Sequence, residues 1–257
     1  MSNTIEEIFK IDKIGKGIVV KILFAFLVML RIFVNTFPIG DNNFDNLYGY
    51  MNTIIENPEL AHTANISDIP ISDGNMVFIG SILAVEFLAI CSYYLYVGLM
   101  IRDMRKGDER FLPIASSKLF VRLFILICVS FILFFLAMIL LLYFFIFFII
   151  IFPWLFMYPA CYLSGDSGFF MSFAAVFKKS RGYYFVNVRN LAVVMLASLL
   201  LQWIAVILGN VYEPISVVLD AFIFVFTLFC VARYSGLIYR RMLMFPERKN
   251  TPIEPYN

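Results

Sequence analysis

The sequence predicts an all-α protein: a polytopic membrane bundle of six transmembrane helices, both termini in the cytoplasm, with a short cytoplasmic interfacial helix between the fourth and fifth spans. Three observations predict this. Of the 257 residues 62% are hydrophobic and 30 are Phe, whereas a soluble domain is about 45–50% apolar. Apolar runs of the roughly 20 residues needed to cross the hydrocarbon core recur along the chain. The bases and acids alternate from one connection to the next.

The first span is read at 17–38. The segment before it is polar and mildly amphipathic and lacks the pattern of a cleaved signal peptide, so this span is expected to be retained. A polar loop, 39–75, follows, rich in Asn, Asp, Pro and Gly. The second span is 76–101 and a charged connection leads to 119. Residues 119–163 are 45 residues with a single charge, Arg122. As helix they would run about 67 Å, which is two spans. The third and fourth spans are therefore placed together in 119–163. Their turn is expected near Leu142–Phe147, and Pro153 and Pro159 are expected to kink the second of the pair. The fifth span is 190–208, the sixth 215–238, and 239–257 is a cytoplasmic tail. The whole is one membrane domain, 1–257.

Charge orients this arrangement. Lys10, Lys13, Lys16 and Lys21 flank the first span, and Arg102, Arg105, Lys106, Arg110, Lys118 and Arg122 separate the second from the third. Lys178, Lys179, Arg181 and Arg189 precede the fifth, and Arg233, Arg240, Arg241, Arg248 and Lys249 close the chain. The connections 39–75 and 209–214 contain no Lys or Arg and carry seven acids. The positive-inside rule places both termini in the cytoplasm.

Residues 166–181 read as an interfacial helix. Asp166 suits its N-cap, Phe169, Phe173 and Phe177 share one face at i, i+4 and i+8, and Lys178, Lys179 and Arg181 fall in the last turn, where cations complement the helix dipole. The same stretch contains Gly165-Asp166-Ser167-Gly168, a serine-protease-like string. A nucleophilic serine needs a base within hydrogen-bond reach. The only histidine, His62, lies in the loop predicted on the opposite side of the membrane. Ser167 is therefore read as a first-turn residue, and no catalytic residue is assigned.

Four polar residues fall inside predicted spans: Arg31, Glu86, Gln202 and Asp220. Isolated ionisable groups at the bilayer centre cost about 2.5–3.5 kcal/mol. All four are estimated to lie in the outer half, at depths where Arg31, Glu86 and Asp220 can pair and Gln202 can donate to an acid. Three roles are open to them: glue between helices, independent snorkelling to the interface, or an outward-facing pocket. The four cysteines, Cys91, Cys128, Cys161 and Cys230, all lie in apolar runs without metal-ligand spacing. No nucleotide fingerprint occurs. No metal, cofactor or nucleic-acid partner is expected.

Pro153, Tyr158, Pro159, Asp166, Ala175, Lys179, Ser180, Gly182 and Phe185, with Gly98 and Arg105–Glu109 upstream, resemble the pattern of a bacterial superfamily. It comprises the YciC-like six-span proteins and the membrane domain of some glycerophosphodiester phosphodiesterases. The resemblance spans roughly 98–242. The chain departs from that pattern in having Pro153-Trp154 where a Pro-Gly pair is frequent. The resemblance implies a multi-pass protein of the bacterial inner membrane and no catalytic residue. The leading expectation is a non-enzymatic protein that assists or scaffolds a membrane complex of an export or envelope system, its partners being the lipid bilayer and other membrane proteins. A small transporter or lipid- or ligand-binding protein is the first alternative. An immunity protein against a membrane-active peptide is the second.

Overall fold

The computed structural model describes residues 2–15, 17–57, 59–60, 69–106, 115–165, 167–180 and 182–244. Within these it describes the side chains other than those of 2–4, 133–150, 152, 179 and 242–244. The described chain is helical: α1 (Ser2–Ile8), α2 (Gly17–Thr36), α3 (Asp45–Glu56), α4 (Asp73–Lys106), α5 (Ser116–Leu155), α6 (Tyr158–Leu163), α7 (Phe169–Lys179), α8 (Tyr184–Gly209) and α9 (Glu213–Met244). Helices α2, α4, α8 and α9 are each long and apolar enough to cross a membrane. This is a multi-pass membrane protein. In hydrocarbon a backbone must satisfy its own hydrogen bonds, which is why runs this apolar fold as long helices.

The long helix α9 is the centre of the bundle, packing on α8, α4 and α2. Small residues let it approach closely: a Cβ added to Gly236 would lie 2.5 Å from the Met100 sulfur of α4. The most tightly packed region lies where Tyr96 and Ile101 of α4, Met157 just before α6 and Leu163 at its end, and Phe229, Tyr234 and Tyr239 of α9 converge, all essentially inaccessible. This is the basic end of the bundle. The N-terminal segment seals it. Arg233, buried on α9, donates to the Glu7 and Lys13 carbonyls, Tyr96 Oη donates to the Ile11 carbonyl, and Ile8 is fully buried.

Several helices extend past the apolar limits read from the sequence. Helix α8 starts at Tyr184, six residues before the expected 190, because Asn187 and Asn190 are buried in its first turns. Asn190 donates to Tyr234 Oη, which donates in turn to Asn187 Oδ1. Helix α9 runs on to Met244, taking up the start of the expected tail, while 245–257 lie outside the described residues.

The expected polar loop 39–75 is structured in part. Asn75, 5% exposed, donates to the carbonyls of Asp41 and Asn43, pinning the exit of α2 to the start of α4. Helix α3 follows. Leu47, Tyr50, Met51, Ile54 and Ile55 fall on one face and Asn46, Gly49, Asn52, Thr53 and Glu56 on the other. Its apolar face is partly open, with Tyr48, Met51 and Ile55 exposed.

The stretch 119–163 departs from expectation in one respect. Residues 142–147 contain no non-helical break: α5 is helical throughout Ser116–Leu155. Its two ends nevertheless meet. Leu119 and Leu123 at its start and Leu163 beyond its end all reach Gly98 of α4. Tyr93 Oη and Tyr94 Oη, neighbours on α4, bond the Phe156 carbonyl and Ser130 Oγ. A straight helix would put Arg122 and Leu155 about 50 Å apart. The seven residues from there to Tyr162 recover at most about 25 Å, yet Arg122 bonds the Tyr162 carbonyl. The axis of α5 therefore doubles back between Ser130 and Phe156 while staying helical. The two prolines act as a break rather than a kink: α5 ends two residues after Pro153, and Pro159 is the second residue of α6. The Phe156 carbonyl at that break accepts from both Tyr93 and Ser235.

Candidate functional site

Three of the four intramembrane polar residues come together. Arg31 of α2 donates to Glu86 Oε1 of α4 at 2.5 Å, and its Nε lies 3.8 Å from Asp220 Oδ2 of α9. Its guanidinium also lies on the Phe224 ring, 3.7 Å from the centroid, a cation–π contact. One base thus joins three helices. The Arg31 side chain is 19% exposed, those of Glu86 and Asp220 30% and 45%. The Nε is buried without a hydrogen bond of its own, since 3.8 Å is beyond hydrogen-bond range.

Gln202 does not join this cluster. It faces a cavity of about 550 Å³ between α4, α6, α8 and α9. The other polar groups on the wall are already paired: Thr227 Oγ1 donates to Ser198 Oγ at 2.9 Å, and Tyr93 and Tyr94 are held as described above. Phe224 contributes to the wall as well as to the Arg31 contact.

The stretch expected as an interfacial helix forms α7, at the basic end, and the helix starts three residues later than Asp166. Gly168, in extended conformation, occupies its N-cap, and no side chain caps it there. Asp166 and Arg181 lie outside the described residues, as does the Lys179 side chain. Lys178 is exposed. Phe169 and Phe177 are tucked against the protein's own aromatics, while Phe173, though it touches Tyr158, stays 43% exposed. Phe169 packs edge-on against Tyr158 and Tyr162, Phe173 against Tyr158, and Phe177 against Trp154. The residues turned outward are Phe170 and Met171, 85% and 72% exposed.

Ser167 Oγ shares a hydrogen bond with Ser172 Oγ at 2.7 Å, and its carbonyl accepts from Arg122 at 2.9 Å. These contacts make it part of the turn into α7. His62 lies outside the described residues. No group of three or more His, Cys, Asp or Glu able to hold a metal occurs among the described residues.

No family model, curated protein or solved structure matches this chain.

Two arginines that tie segments of the fold together were not singled out by the sequence. Arg122 donates to the carbonyls of Tyr162 (2.5 Å), Ser167 (2.9 Å) and Gly165 (3.4 Å), with its guanidinium over the Tyr162 ring. It closes the turn between α6 and α7, where the carbonyls at the end of α6 have no intrahelical partner. Arg233 does the same for the N-terminal segment. The available signal was their isolation: Arg122 is the only charge in 45 residues, and charges in such runs mark a specific partner.

Proposed function

We propose that this is a non-enzymatic six-span protein of the bacterial inner membrane, N- and C-termini cytoplasmic, that assists or scaffolds a membrane partner complex. In this reading the doubled-back α5 supplies the third and fourth spans, and α3 lies at the outer surface. The resemblance to the YciC-like superfamily belongs to the same proposal. Three of its positions flank α7: Pro159 is the second residue of α6, Ser180 is buried at the end of α7, and Gly182 takes φ +83° in the turn to α8.

The observation that carries the reading is the outward face of α7. Phe169, Phe173 and Phe177 contact Tyr158, Tyr162 and Trp154, whereas Phe170 and Met171 are the most exposed large apolar residues of the helix. An aromatic and a methionine held rigidly at the basic end of the bundle, beside the cation Lys178, suit a partner with an apolar patch and nearby acids. With a photoreactive residue in place of Phe170, a stoichiometric adduct with one membrane protein is expected in cells. Phe170→Asp should abolish it, and Ser167→Ala should leave it intact. Adducts to phospholipid alone would sink the proposal.

The topology has its own test. Single cysteines at Asn57 and Lys106, in a Cys-free background, are expected to differ on intact cells. An impermeant thiol reagent should label the first and not the second. Equal labelling would overturn the orientation.

A further inference from the structure

The cavity between α4, α6, α8 and α9 is independent of the partner surface just proposed. We infer that it is a binding site for an uncharged single-chain amphiphile, a long-chain alcohol or acyl ester, taken up from the bilayer. Its volume, about 550 Å³, lies within the roughly 300–1,000 Å³ of small-molecule sites. Three of the four helices around it, α4, α8 and α9, are membrane-spanning candidates, so the molecules within reach are lipids.

The wall chooses among them. Leu155, Met195, Leu199, Phe224, Leu228 and Val231 line it, and no charged side chain does among the described residues. An ionised head would enter without a counter-charge, which apolar surroundings penalise heavily. A plain alkane would leave Gln202 unanswered. Its carboxamide has no hydrogen-bond partner among the described residues, whereas Ser198, Thr227, Tyr93 and Tyr94 are already satisfied. An amide both donates and accepts, so it fits a hydroxyl or an ester carbonyl equally. Gln202 lies seven residues from the end of α8 at Gly209, about 10 Å along the axis. The cavity continues from there past Met195 and Val231 toward Pro159. The polar group of the ligand is thus met near the acidic end and its chain descends toward the basic end. Phe224 forms the partition between this site and Arg31, which keeps the cation away from the chain.

The test uses the full chain in phosphatidylcholine vesicles with a diazirine-bearing long-chain alkanol as probe. Photolabelling is expected on the cavity face of α9, at Leu228 or Val231, which are not among the exposed residues. Gln202→Leu keeps shape and removes the hydrogen bond. It should lower labelling about fivefold, the equivalent of roughly 1 kcal/mol. Ser198→Trp fills the space and should abolish labelling at an unchanged melting temperature. Should that variant fail to fold, Gln202→Leu alone decides. Labelling confined to lipid-facing positions such as Trp203 and Ile204, or unchanged in Gln202→Leu, overturns the inference. So does equal labelling by an alkyl ammonium probe, because the site would then not select an uncharged head.

Discussion

Arg122→Ala is expected to destabilise the protein by about 3 kcal/mol, because it removes three hydrogen bonds from one charged donor to part-buried carbonyls at once. Tyr162, Gly165 and Ser167 all direct their carbonyls at this one guanidinium. Hydrogen bonds to a charged group are worth about 1.5–3 kcal/mol each, and the longest of the three, at 3.4 Å, contributes least. Arg122→Lys should recover only part of the loss, since an ammonium cannot span three acceptors with the geometry of a fork. Thermal unfolding in detergent measures the loss. A cysteine at Phe169 reports its place: it should become reactive in Arg122→Ala, because α7 is released from Tyr158 and Tyr162. A wild-type melting temperature in Arg122→Ala would show that the turn is held by the aromatic contacts alone.

A comparable effect is expected at the three-helix junction. Arg31→Met leaves Glu86 and Asp220 in an apolar environment with no cation, and about 3 kcal/mol is the expected loss. Glu86→Gln should be milder, because Arg31 keeps Asp220 at 3.8 Å and the ring of Phe224. The double variant Arg31→Met/Glu86→Gln should be more stable than Arg31→Met, since one of the two abandoned acids is gone. Equilibrium unfolding by steric trapping in bicelles gives the three values. Strict additivity of the two single changes would mean that the residues do not interact.

What could be read from the sequence and what could not have a common physical origin. The regions of α2, α4, α8 and α9 were legible because hydrocarbon demands length and apolarity, and both are local properties of the chain. The meeting of Arg31, Glu86 and Asp220 was legible because depth is a one-dimensional quantity that a residue count supplies. Packing faces were not. Helix α8 is apolar on nearly every side, so no period distinguishes the face toward α9 from the face toward lipid. Gln202 was accordingly assigned to the wrong neighbours: its depth suited the acids, but its azimuth turns it into the cavity. The start of α7 was misplaced because Asp166 is the stronger capping residue by chemistry, while the turn closed by Arg122 sets the chain direction so that Gly168 falls at the cap. Arg122 and Arg233 were counted as bases that orient the chain, when each also gathers carbonyls from a segment remote in sequence. Helix α3 was overlooked for another reason. Its polar half dominated a reading by composition, although its apolar residues recur at helical spacing.

The way α5 doubles back bears on how the chain meets the cell surface. Between Ser130 and Phe156 there is no charged residue, and the corner stays helical rather than opening into a loop. On the proposed topology this corner stops within the hydrocarbon. No protease site, glycan acceptor or antibody epitope is then offered where the third span hands over to the fourth. An agent arriving from outside meets only the long acidic connection that holds α3 and the short turn between α8 and α9. Both are free of lysine and arginine, so on this proposed topology trypsin-like enzymes find nothing to cut in the outer connections.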